Sequence, residues 1–195
     1  MYEIRKRKND IREKYKALRA AIPPSQKELM DEKICTSFFS LATYRYADVI
    51  LMYSPQSDEV NILPIAERAL ADGKKIAFPR CIPESHDMEY HYIEDLDDLV
   101  PGAYGLLEPP ADFPVYDRNS STPTACIIPA LVYDKKGYRL GYGKGYYDRY
   151  LGSYIGSKVG MIYSDYIIDE LPRGRFDLCV DFMVTEKGLR VVSSK

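Results

Sequence analysis

The 195-residue chain carries 27 basic and 29 acidic residues, a net charge of −2, so no global field draws it to nucleic acid. With 46% hydrophobic and 29% charged residues it has the composition of a globular protein that buries a core without disulfides or metals. Cys35, Cys81, Cys126 and Cys179 form no C-x-x-C pair, and neither His86 nor His91 sits in H-E-x-x-H, which speaks against zinc-ribbon, thioredoxin and zincin chemistry.

Residues 3–22 read as an amphipathic helix, because Ile4, Ile11, Tyr15, Leu18 and Ile22 recur at three-and-four spacing. Lys8 takes one seat on that stripe, where it either snorkels at the edge or reaches an anion. Arg12 lies one turn further on, so the two cations can converge. Arg5, Lys6 and Arg7 read as a solvated face. Pro23-Pro24 ends this helix, and Ser25 to Glu28 reads as a capping box opening a second helix that runs to about Leu41.

Ala47–Tyr53 is a continuous apolar run, as in a buried strand. Ile62–Gly73 is helical with Gly73 as its stop, and Lys74–Pro79 is the next strand. This strand–helix–strand order predicts a largely parallel sheet. Met88–Ile93 alternates like a half-exposed strand, while residues 101–110 and 112–124 read as loops. Ala125–Tyr133 contains a strand that Pro129 ends, and Asp134–Gly137 is a turn. The stretch RLGYGKGYYDRYL, Arg139–Leu151, then runs into a helix through Tyr150. Lys158–Ser164 and Val180–Glu186 complete the strands. No linker separates domains, so residues 1–195 are expected to form one.

The densest signal is that glycine stretch. Alternating Gly141, Gly143 and Gly145 leave backbone N–H groups unshielded and permit positive φ, which suits an anion nest, and Lys144 adds a mobile cation. A helix starting near Gly145 would point its N-terminus at the same place. The spacing is not G-x-G-x-x-G, and the stretch does not follow a predicted strand directly, so a dinucleotide fingerprint is disfavoured. Gly145 after Lys144 also fails the P-loop, which needs Ser or Thr there. A phosphate cradle and a structural turn both remain open. Asp148 can hold a metal bridging phosphates, or can simply favour the first turn of a helix. Glu59, in SPQSDEV after the first strand, can accept hydrogen bonds from a ligand's N–H groups or sit in the first turn of the next helix.

These segments together, PALVYDKKGYRLGYGKGYYDRYL with Lys8 to Arg12, MYSPQSDEV, KKIAFPR, DMEYHYI, GAYGLLEP and FDLCVD, resemble the 5-formyltetrahydrofolate cyclo-ligase (5,10-methenyltetrahydrofolate synthetase) family over nearly the whole chain. The resemblance implies an α/β fold, a three-layer Rossmann-like sandwich with a mostly parallel sheet and N-terminal helices. It implies ATP-dependent conversion of 5-formyltetrahydrofolate to 5,10-methenyltetrahydrofolate, with ATP as co-substrate and Mg2+ as cofactor. It places Lys8, Arg12, Arg139, Gly141, Gly143, Lys144, Gly145, Tyr146 and Tyr147 at the nucleotide. Tyr53, Glu59, Tyr142, Lys144, Tyr146 and Tyr147 fall at the folate, and Asp148 and Asp177 at magnesium. Lys144, Arg139 and Tyr147 are the expected catalytic residues; Arg80 and Met88 lie in matching segments.

A small kinase or ATP hydrolase using the same cradle is the alternative. A kinase needs a base beside its acceptor, and none stands out. Nucleic-acid binding would need a more basic surface. The expected partners are therefore small-molecule substrates, with no nucleic acid, no membrane and a monomeric chain. Scattered cysteines, no apolar run of membrane length and no signal-like N-terminus suggest the cytoplasm.

Overall fold

A computed structural model describes residues 2–174 and 177–192. Phe176 of the FDLCVD segment, and the ends of the expected domain at Met1 and 193–195, lie outside the described residues. The elements in chain order are α1 (Tyr2–Ala20), α2 (Pro24–Phe39), α3 (Ala42–Tyr46), β1 (Val49–Leu51), α4 (Leu63–Ala71), β2 (Lys75–Ile82) and β3 (Asp87–Ile93). They continue with β4 (Val100–Pro101), β5 (Leu107–Glu108), β6 (Thr124–Ile128), β7 (Val132–Asp134), β8 (Arg139–Leu140), α5 (Tyr146–Leu151), β9 (Ser157–Met161), β10 (Ile167–Ile168), β11 (Phe182–Thr185) and β12 (Gly188–Val191).

Seven strands form one sheet in the order β12-β11-β9-β6-β1-β2-β3. The five central strands are parallel, and β12 and β3 close the edges antiparallel. β1 and β6 are buried throughout, as the continuous apolar runs VIL and TACII require. From β1 the chain crosses through α4 to β2 on one side; from β6 it crosses through α5 to β9 on the other. Right-handed crossovers in opposite directions put α4 and α5 on opposite faces, and the gap between the carboxyl ends of β1 and β6 is a topological switch point. The largely parallel α/β sheet expected from the sequence is therefore present.

Several boundaries differ from the sequence expectation. Ser25 caps nothing: Pro24 occupies the first helical turn with Pro23 as the cap residue, because proline's fixed φ opens a helix without needing a side-chain cap. β2 continues to Ile82, past Pro79, because its pairing with β1 ends at Ala77 and a one-sided strand tolerates proline. The loop at 101–110 carries the short β4–β5 ribbon. Tyr44 and its neighbours form α3, an unpredicted turn of helix.

The glycine stretch does follow a strand directly, contrary to the sequence reading. That strand, β8, is two residues long and belongs to a small separate sheet ordered β10-β7-β8. It pairs antiparallel with β7 across the Asp134–Gly137 turn, so no βαβ dinucleotide unit results. Asp134 Oδ1 accepts from the N–H groups of Lys136 and Tyr138, its Oδ2 accepts from Leu171, and Gly137 supplies φ +78°. The turn is thus pinned from inside, and it delivers Arg139 and the glycines to the switch point. No described helix is long and apolar enough to cross a membrane.

Candidate active site

The carboxyl ends of β1 and β6 open into a cleft of about 340 Å3. Every residue expected at a site from the sequence lines it: Lys8 and Arg12 from α1, Tyr53 and Glu59 around β1, Arg139 through Asp148, and Asp177. Met88 also lines the cleft, but Arg80 does not; its guanidinium donates to the Pro109 carbonyl.

One wall is cationic. Lys8 leaves the apolar stripe of α1 and pairs with Asp177. Arg12 donates to the Gly141 carbonyl at 2.8 Å and to Asn9 at 2.7 Å. Burial lowers the Arg12 pKa, and the carboxylates of Asp177 and Asp148 act on it in the raising direction. Arg139, on β8, pairs with Asp148 at 2.7 Å and lies 5.2 Å from the Tyr147 ring centre. Asp148 therefore occupies the first turn of α5 and also holds a cleft cation.

The glycines allow this convergence. Gly143 has φ +100° and Gly145, which caps α5, has φ +80°. A Cβ on Gly143 would sit 3.2 Å from the Arg12 guanidinium carbon, and one on Gly141 would sit 2.9 Å from Arg139 Nη1. Any side chain there would displace an arginine. α5 has six residues, so the cations and the exposed loop amides, rather than a long helix dipole, dominate the field.

The cleft also holds a carboxylate and tyrosines. Glu59 is 4% exposed and lies in the β1–α4 loop, four residues before α4, not in the helix's first turn. Its Oε2 accepts from the Gln56 N–H at 2.9 Å, and Tyr53 closes the loop by donating to the Val60 carbonyl at 2.7 Å. Burial pushes the Glu59 carboxyl up to about 7, against the pull of the Gln56 N–H and Arg19. Tyr142 donates to Asp58 at 3.0 Å, and burial, then the charges of Glu59 and Asp58, raise its pKa.

Three lining residues carried no assignable sequence signal. Tyr104 comes from the Gly-rich loop, holds φ +58°, shares a hydrogen bond of 2.9 Å with the Tyr146 hydroxyl, and stands 5.3 Å from Lys144 Nζ. Leu106 follows it. Cys81 is reached only because β2 overruns Pro79; burial, then Glu108, pushes its thiol up to about 12, which makes it a poor nucleophile. Among the described residues no three Asp, Glu, His or Cys gather as a closed metal cage.

A family model described as the 5-formyltetrahydrofolate cyclo-ligase family matches residues 4–186. Among solved structures, the chain is similar to the 5,10-methenyltetrahydrofolate synthetase of Aquifex aeolicus, at 29% identity and a TM-score of 0.84, covering 96% of this chain and 94% of that one. It is also similar in fold to the 5,10-methenyltetrahydrofolate synthetase of Mycoplasma pneumoniae, at 24% identity and a TM-score of 0.74, covering 92% and 98%. A search of curated proteins found no match. The matched span takes in α1, the switch-point cleft and the glycine loop between them, and the chain belongs to the 5-formyltetrahydrofolate cyclo-ligase family.

Proposed function

We propose that the chain converts 5-formyltetrahydrofolate to 5,10-methenyltetrahydrofolate with ATP becoming ADP and phosphate, and that both substrates meet in the switch-point cleft. The observation that carries this reading is one cleft lined both by four cations with three glycines and by a buried carboxylate with tyrosines. The cations and glycines suit a triphosphate. The carboxylate and tyrosines suit a flat heterocycle whose N–H groups donate to Glu59.

The formyl carbon is a poor electrophile because it is an amide. Its oxygen attacks the γ-phosphorus, the bond to the ADP oxygen breaks, and the formyl oxygen becomes part of a phosphate leaving group. N10 then attacks the carbon, the C–O bond breaks, and the N10 proton goes with the departing phosphate. Such transfers depend on positioning and charge neutralisation rather than a protein nucleophile. Lys8, Arg12, Arg139 and Lys144 would bind the phosphates and neutralise the charge that develops on them. Tyr147, beneath Arg139, would keep that guanidinium aimed. Glu59 would orient the pterin, with Tyr53, Tyr142 and Tyr146 along its faces.

Asp148 and Asp177, the carboxylates paired with Arg139 and Lys8, would suit a magnesium ion, which is commonly held through one or two carboxylates together with substrate phosphates. Such an ion would supply charge neutralisation at the bound phosphates. Protein, ATP, magnesium and 5-formyltetrahydrofolate should yield the near-ultraviolet absorbance of the methenyl product. No product under excess ATP overturns the proposal.

A further inference from the structure

Arg19 lies in the last turn of α1 and is 3% exposed, at a place where the apolar spacing of the helix puts no charge. We propose that Arg19 is a positioning residue that ties the Glu59 loop to the floor of the cleft and supplies a counter-charge that favours the ionised form of Glu59 on which its ligand depends. The inference rests on the reading of Glu59 as the folate-facing acid.

Its guanidinium donates to three carbonyls. Nη1 reaches Asp58, the residue before Glu59, at 3.1 Å; Nη2 reaches Ala130 and, at 3.1 Å, Leu131. Ala130 follows Pro129, which lines the cleft at the end of β6. One side chain thus fastens the loop after β1 to the loop after β6, the two strands that make the switch point. The rings of Tyr166 and Tyr163 lie 5.3 and 5.9 Å from its guanidinium carbon, and its Nε is buried with no partner among the described residues. Three carbonyls could be served by a neutral donor. Burying a full charge for that purpose alone is costly, so the charge itself calls for an anion.

Glu59, one residue beyond the Asp58 carbonyl that Arg19 holds, is the carboxyl whose ionisation Arg19 favours. The groups around it are few. Gln56 presents its backbone N–H, and Asp58 shares its loop. Tyr53 at the end of β1, Tyr142 of the glycine loop and Tyr147 of α5 act on it or feel its charge, and the Tyr163 hydroxyl approaches its backbone carbonyl. Burial raises the pKa of each of these four tyrosines, so all stay neutral at physiological pH. The charges bearing on Glu59 are then Asp58, which disfavours its ionisation, and Arg19, which favours it.

The test is the pH dependence of 5-formyltetrahydrofolate binding and KM from pH 6 to 9 in wild type, Arg19→Lys and Arg19→Gln, with nucleotide affinity as a control and circular dichroism as a fold check. In Arg19→Gln the acidic limb should move up by about one pH unit or more, as loss of a neighbouring opposite charge requires. Folate binding is then weakened about fivefold or more at pH 7 and recovers toward pH 9, while nucleotide affinity is unchanged. Arg19→Lys keeps the charge and should keep the midpoint. Weakening by the same factor at every pH, with the midpoint at its wild-type value, overturns the counter-charge role. Where Arg19→Gln does not fold, Arg19→Met takes its place: a midpoint displaced upward supports the proposal, and one at the wild-type value overturns it. Failure of the underlying reading looks different, because Glu59→Gln would then bind folate as wild type does.

Discussion

Glu59→Gln should stabilise the ligand-free protein, and only above acid pH. The folded state holds the Glu59 proton until about pH 7, against 4.5 for an ordinary glutamate. Below pH 4.5 both folded and unfolded chains are protonated and the residue has no pH-dependent effect. Between 4.5 and 7 the unfolded chain releases the proton while the folded one keeps it, so stability falls as pH rises. Above 7 the full cost is present, roughly 3 kcal/mol at about 1.4 kcal/mol per pH unit. Glutamine carries no such cost, and its amide oxygen still accepts from the Gln56 N–H. The variant should therefore melt at the wild-type temperature near pH 4 and about 6–12 °C higher at pH 8, taking about 2–4 °C per kcal/mol for a chain of this size. Thermal melts of both proteins across that range check the difference, in which all other titrating groups cancel. Equal offsets at pH 4 and pH 8 would refute the reasoning, since they would mean that Glu59 is not held protonated by burial. Folate at saturation should reverse the order, because only the carboxylate accepts two hydrogen bonds from a ligand.

Lys144→Ala should raise KM for ATP and lower turnover, together costing about 10- to 150-fold in kcat/KM, the range expected for one charge-assisted contact of about 1.5–3 kcal/mol. Wild-type kinetics would remove Lys144 from the site. Gly143→Ala forces a side chain into φ +100° and places a Cβ 3.2 Å from the Arg12 guanidinium. The strain alone costs about 1–2 kcal/mol; ATP affinity should fall while folate affinity holds, and calorimetry showing unaltered ATP binding would sink the account.

Sequence patterns made the architecture legible where burial dominates. VIL and TACII are buried on both sides, so their apolar continuity reads directly as central parallel strands. Local rules misled where two applied at once: Ser25 to Glu28 satisfies the capping-box pattern, but Pro24 had already opened the helix. β8 was illegible because two residues carry no periodicity and their pairing is set by the Asp134 turn. In the cleft, Lys8 and Glu59 each had two readings from spacing, and only tertiary geometry separates them. Lys8 leaves its stripe because Asp177, 169 positions away, waits for it. Arg19 was hidden for the opposite reason, since a helical pattern read by apolarity passes over a buried charge. Tyr104 takes a left-handed backbone that no tyrosine advertises.

Each cleft cation already has a partner: Lys8 on Asp177, Arg139 on Asp148, Arg12 on the Gly141 carbonyl and Lys144 over the Tyr104 ring. Four cations against two carboxylates leave two positive charges, which balance the net charge of about −2 on a magnesium-bound triphosphate. Under the proposed function, binding is an exchange of partners. A bare triphosphate would draw the cations off and strand Asp148 and Asp177, whose pairs are partly sheltered, with side-chain exposures of 18% for Asp177 and 32% for Asp148. Magnesium alone would draw off the carboxylates and leave four cations facing one another. Each ligand repairs the deficit that the other creates, so the two should bind with positive and reciprocal coupling of about 1–3 kcal/mol, roughly 5- to 150-fold in affinity. Titration calorimetry of ATP with and without magnesium measures that factor directly. Asp148→Asn and Asp177→Asn should shrink it, because a neutral side chain is neither stranded by the nucleotide nor a strong ligand for the ion. Coupling of the same size in both variants, beyond what magnesium and ATP show for each other in free solution, would place the ion elsewhere.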